Sequence, residues 1–150
     1  MIRKNLLDLN VLIALMDSGH QHYSKAQDWF ISSGNDHVGL CPLTEAGFLR
    51  VTTNPSYRPK PRIFGEAIAV LQVLKEHPRF AHPLYGYWEI DKSWVEVTAP
   101  FASRIRGHQQ VTDAYLLGLA IKENGVLVTF DKGIHYMAGA EFRQHIRLLE

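Results

Sequence analysis

Four acidic residues stand at positions where acids are costly or conspicuous. Asp8 interrupts the apolar run LLDLNVLIAL, Glu45 follows HVGLCP, Asp113 lies near the start of VTDAYLLGLAIKENG, and Asp131 closes VLVTFD. Burying a carboxylate without a partner costs several kcal/mol, so Asp8 among leucines implies that something cationic sits over it. Carboxylates gathered with no histidine or cysteine between them form a hard oxygen-ligand set, the kind that takes Mg²⁺ or Mn²⁺. Each acid also has a plainer reading. Asp113 and Glu45 would favour a helix dipole by about 0.3 to 1 kcal/mol, and Asp131 before Lys132 and Gly133 suits a turn. Asp28, Glu66, Glu76, Glu123 and Glu141 read as solvated helix faces.

The elements that would bring the four acids together follow from hydrophobic spacing. IRKNLLDLN reads as a first strand ending near Asp8, followed at once by a helix over VLIALMDSG. HYSKAQDWFISSG places Ala26, Trp29 and Phe30 on one helical face, stopped by Gly34. HVGLCP is a short buried strand ended by Pro42, and LTEAGFLRVTTN resumes helical spacing through Leu43, Ala46 or Gly47, and Leu49 or Arg50. RIFGEAIAVLQVLKEHP predicts a helix with Phe64, Ile68, Leu71 and Leu74 inward. HPLYGYWEI is read as a strand. In VTDAYLLGLAIKENG, Thr112 suits the N-cap, Leu116, Leu117, Ala120 and Ile121 form the buried stripe, and Gly125 ends the helix. VLVTFD is an interior strand and HIRLLE a last one. Strands alternating with helices predict an α/β fold, a central parallel sheet with helices on both faces. In such sheets ligands gather beyond the carboxyl ends of the strands, and all four acids map to that rim.

Composition narrows the field. A chain of 150 residues, 46% hydrophobic and 11% aromatic, fits one domain spanning residues 1–150 with one substantial core. Sixteen Lys and Arg balance fifteen Asp and Glu, so no global charge draws it to nucleic acid or anionic lipid. The single cysteine, Cys41, excludes an internal disulfide and any multi-cysteine metal site. No run approaches the roughly 20 apolar residues that span a bilayer, and no secretory cleavage pattern is present. The expectation is a soluble, cytoplasmic protein.

Four blocks in order, LLDLNVLIAL, CPLTEAGFLRVTTNP, GHQQVTDAYLLGLA and VTFDKGI, resemble those of the PIN-domain ribonucleases, in particular the VapC toxins of bacterial toxin–antitoxin pairs. The resemblance runs over nearly the whole chain and is least diagnostic from Ser56 to Arg104. It implies a PIN-like three-layer α/β sandwich, dependence on Mg²⁺ or Mn²⁺, endonucleolytic cleavage of RNA, a cognate VapB-like antitoxin that blocks the acidic crevice, and a homodimer. The family's catalytic, metal-binding acids then correspond to Asp8, Glu45, Asp113 and Asp131. Asn10, Thr112 and Thr129 match polar positions that support them, although Asn10 also reads as a cap of the helix that follows Asp8.

RNA must also be held, and Arg50, Arg58, Lys60, Arg62 and Arg106 are the candidates to neutralise phosphates flanking the scissile one. The proline-rich stretch NPSYRPKPR reads as an exposed, stiff loop presenting three of them. A PIN-fold module that binds RNA without cutting it is the alternative. Two other Mg²⁺-dependent classes fit less well. A phosphoacceptor domain of receiver type needs paired acids early, and an Asp-x-Asp phosphohydrolase needs a second acid where Asp8-Leu9-Asn10 has an amide.

Overall fold

The computed structural model describes all 150 residues. Four strands, β1 (Lys4–Leu7), β2 (His37–Gly39), β3 (Val126–Thr129) and β4 (Ile146–Leu148), form one sheet in the order β2-β1-β3-β4. Every pairing is parallel, with Leu6 opposite Gly39 on one side and Leu127 on the other. The α/β class is thus observed, with four of the five expected strands in the sheet. Helices α1 (Leu9–Met16), α2 (Tyr23–Ser32), α3 (Pro42–Thr52), α4 (Phe64–Glu76), α5 (Trp94–Thr98), α6 (Val111–Lys122) and α7 (Lys132–Ala138) cover both faces. Because successive strand residues point to opposite faces, the sheet divides the interior in two. Leu6 and Leu127 join Tyr115, Leu116 and Ile134 beneath α6 and α7. Leu7 and Val128 join Val11, Trp29, Phe48 and Leu71 beneath α1 to α4. No helix is long and apolar enough to cross a membrane.

Several local expectations are corrected. Pro42 opens α3 at its first turn, where its missing N–H costs nothing, and the buried face is Thr44, Gly47, Phe48 and Thr52. On α4 the inward residues are Ala67, Leu71 and Leu74. Phe64 and Ile68 are 60% and 40% exposed, because α4 packs outside the sheet against α3 and buries only a narrow stripe. HPLYGYWEI is not a strand. The ring Nδ1 of His82 accepts the N–H groups of Leu84 and Tyr85, turning the chain, so that only one parallel bridge forms, Leu40 to Tyr87. A 3₁₀ turn, His108–Gln110, leads directly into α6. Gln110 therefore occupies the N-cap position, and Thr112 is exposed within the first turn. The α6 helix stops where Asn124 takes a left-handed φ of 52°, one residue before Gly125.

Candidate active site at the carboxyl edge of the sheet

Asp8 is the residue at which β1 ends and α1 begins. Its N–H continues the sheet by donating to the Val128 carbonyl at 3.0 Å, while its own carbonyl accepts from Val11 and Leu12. The side chain is 4% exposed, and both oxygens have donors. The Leu9 N–H donates to Oδ1 at 2.7 Å and the Thr129 hydroxyl donates to Oδ2 at 2.7 Å. Burial pushes the carboxyl above the usual carboxylate range; these hydrogen bonds oppose that shift and the charge of Asp131 adds to it.

Thr129, fully buried at the end of β3, is the hub. While donating to Asp8 it accepts the Asp131 N–H at 2.9 Å. Asp131 in turn caps α7 by accepting the Gly133 N–H at 2.7 Å. From the other side, the first turn of α6 supplies Asp113. Its carboxyl accepts no hydrogen bond from the protein and is pushed up to about 7, first by burial and then by the charges of Asp8 and Asp131. Three aspartates from β1, α6 and the β3–α7 junction therefore share one electrostatic pocket.

Glu45 is held apart from them. The Thr44 hydroxyl donates to the Leu7 carbonyl at 3.3 Å and ties the start of α3 to β1, which places Glu45 at the same edge of the sheet. Its carboxylate, however, pairs with the Lys75 ammonium of α4 at 2.7 Å and accepts the Tyr87 hydroxyl at 2.8 Å. Burial, then the hydrogen bond to Glu45, raises the Tyr87 hydroxyl. As the side chains stand, no three His, Cys, Asp or Glu groups are disposed to enclose a metal ion. The donor set still fits Mg²⁺ or Mn²⁺ in kind, since such ions take one or two carboxylates and keep several waters. Burial, and after it the repulsion from Asp8 and Asp131, raises Asp113, and a cation would relieve both.

The remaining candidates separate into two groups. Asn10 is exposed and does not bond Asp8; the Leu9 N–H does that work. Thr112 is likewise exposed and bonds no acid. Arg50, Arg58 and Lys60 are exposed on α3 and on the loop that follows it. Arg62 turns inward, donating to the Met16 carbonyl at 3.4 Å with its guanidinium over the Phe48 ring. Arg106 lies 4.4 Å over the exposed ring of Tyr136. Its neighbour Arg104 serves the fold, binding the carbonyls of Met137 and Ala138 at the end of α7. Lys75 and Tyr87 were not legible as site residues, because no local spacing links them to Glu45.

The PIN domain family model matches residues 6–140. Ribonuclease VapC38 of Mycobacterium tuberculosis (strain ATCC 25618 / H37Rv) is 38% identical over 144 residues, 96% of each chain. The chain belongs to the VapC family of PIN-domain ribonucleases. Ribonuclease VapC44 of Mycobacterium tuberculosis (strain CDC 1551 / Oshkosh) is 36% identical over 146 residues, 96% of this PIN domain and 98% of that protein. Ribonuclease VapC39 of the same strain is 34% identical over 135 residues, covering 90% and 94%. The resemblance drawn from the four motif blocks and the PIN-like fold expected from it are thus both met. All four acids of this PIN domain lie within the matched span.

Proposed function

We propose that this PIN domain is a metal-dependent endoribonuclease, the toxin of a toxin–antitoxin pair acting on cytoplasmic RNA. The observation that carries the reading is the convergence of Asp8, Asp113 and Asp131, with Asp113 pushed up to about 7, in a chain with VapC ribonucleases among its relatives. Asp8, Asp113 and Asp131, joined by Glu45, would hold Mg²⁺ or Mn²⁺. When bound, the ion supplies positive charge to offset what builds on the oxygens of the phosphodiester being hydrolysed. The chain's own groups do the positioning. Thr129 orients Asp8 and Asp131 together, and Asp113, which accepts no hydrogen bond from the protein, keeps its oxygens free to face ion, water or phosphate. Arg50, Arg58, Lys60 and Arg106 bring positive charge to flanking phosphates, whereas Arg62 contributes mainly to the fold.

A VapB-like antitoxin and self-association belong to the same proposal. The acidic crevice suits an arginine-bearing segment. The exposed apolar face of α4, with Phe64, Ile68 and Val73, supports burial against a second protein. Co-purification with the product of the neighbouring reading frame tests the antitoxin, and light scattering of the isolated chain tests the dimer.

The deciding experiment incubates the protein with total RNA in Mg²⁺, Mn²⁺ or chelator, beside Asp8→Asn. Asparagine can still cap α1 and donate to the Thr129 hydroxyl, so the variant should remain folded in chelator while cleavage and stabilisation by Mg²⁺ are lost. RNA retention without cleavage in every condition would favour a binding module. An Asp8→Asn variant that cuts as well as its parent would refute the site.

A further inference from the structure

We propose that Lys75 and Tyr87 are positioning residues that hold the Glu45 carboxylate out of the aspartate cluster, so that Glu45 becomes a metal ligand only when this clasp opens. The inference rests on the metal-site reading given above, and it makes that site adjustable.

The clasp uses both carboxylate oxygens. Lys75 Nζ is 2.7 Å from Oε2, and the Tyr87 hydroxyl donates to Oε1 at 2.8 Å. The two partners are themselves joined, since the Lys75 ammonium sits 4.3 Å over the Tyr87 ring. They arrive from separate parts of the chain, the last turn of α4 and the loop that bridges Leu40. The Glu45 side chain is only 18% exposed, which strengthens both contacts relative to a fully solvated pair. The clasp includes a cation of the protein's own, whereas the donors to Asp8 and Asp131 are neutral groups. Consistent with that, the charges that raise Asp113 are those of Asp8 and Asp131, without Glu45. Of the four acids only Glu45 is paired with a cationic side chain, so they are not equivalent: three are left without a counter-charge and one is withheld.

Withholding has a physical consequence. A cation entering the cluster attracts Glu45 and repels the Lys75 ammonium, so binding competes with the clasp, and the free energy of opening it is subtracted from the affinity. Removing the clasp should therefore tighten binding, by about two- to fivefold for a partly exposed ion pair. Loss of a positive charge near the site would by itself have the same sign. The two causes separate in a background where Glu45 can no longer ligate.

The experiment titrates Mn²⁺ into the chain without RNA and counts free Mn²⁺ by electron paramagnetic resonance. It compares the parent with Lys75→Met, Lys75→Arg, Tyr87→Phe, Glu45→Gln, Asp8→Asn and the double variant Glu45→Gln with Lys75→Met. Lys75 and Tyr87 lie at the surface, and unfolding in chelator verifies that each variant is folded. The expected result is tighter Mn²⁺ binding for Lys75→Met, a smaller gain for Tyr87→Phe, parental affinity for Lys75→Arg, weaker binding for Glu45→Gln, and no gain from Lys75→Met in the Glu45→Gln background. Unchanged or weaker binding by Lys75→Met overturns the clasp, as does a gain that survives in the double variant. If Asp8→Asn binds Mn²⁺ as its parent does, the metal site itself is wrong and the clasp falls with it. Loss of binding in Asp8→Asn without a gain in Lys75→Met sinks the clasp alone.

Discussion

At the scale of single residues, Thr129 does what no acid in the pocket can do, satisfying two of them at once. Thr129→Val keeps the shape but leaves Asp8 Oδ2 without its donor and the Asp131 N–H without its acceptor, both in a buried setting. Stability should fall by about 1 to 3 kcal/mol, and Thr129→Ser should recover most of it in denaturant unfolding. Equal loss in both variants would point to the methyl group instead. Asp113 gives a pH signature. Its folded carboxyl titrates at about 7, whereas in the unfolded chain it titrates near ~3.9. Between these values the folded state keeps a proton that the unfolded state has released, so metal-free stability falls as pH rises through this window. After allowance for solvent screening the decline is about 1 to 2 kcal/mol. Asp113→Asn should flatten it in chelator, and an unchanged slope would reject the assignment. Asp8 and Asp131 were legible in the sequence because acids directly after apolar strands can only sit at the carboxyl edge. The withdrawal of Glu45 was not legible, since its Tyr87 partner lies 42 residues away with no periodic relation to it.

Among elements, the pairing of α5 with α6 depends on one missing side chain. A Cβ on Gly118 would run into the Val97 side chain and carbonyl. Alanine would gain roughly 1 kcal/mol of helix propensity, yet the backbone of α5 cannot step aside. Gly118→Ala should therefore cost a net 1 to 3 kcal/mol or so. Gly65 on α4 is the contrast, since a methyl group there would meet nothing within 4 Å, and Gly65→Ala should stabilise by about 0.5 to 1 kcal/mol. Thermal unfolding of the two variants decides, and a loss in both would show that the close approach of α5 is not the cause. Hydrophobic spacing identifies the buried face where burial follows a clear stripe, as with Leu71 and Leu74. It fails where an outer helix buries only a narrow stripe, leaving Phe64 and Ile68 exposed, because spacing shows which face is apolar and not how much of it is covered. It fails again at HPLYGYWEI, where His82 redirects the backbone through side-chain acceptance that no alternation of residues signals.

For the whole molecule, the sheet order places β1 between β2 and β3, and only its last-made neighbour completes the pocket. The partner that orients Asp8 is Thr129, 121 residues further along, and Asp131 follows it. The chain made up to Gly125 lacks β3, α7 and β4 altogether. It leaves one edge of β1 unpaired and two apolar faces uncovered. Such a fragment should show no cooperative unfolding and no RNA cleavage, and its expression should leave growth untouched where the full chain arrests it; an active fragment would contradict the site. The parallel pairing of β1 with β3 thus acts as a timer on synthesis. Translation makes the first acid of the proposed site almost at once, yet that site stays incomplete until β3 and Asp131 have been made and paired with β1.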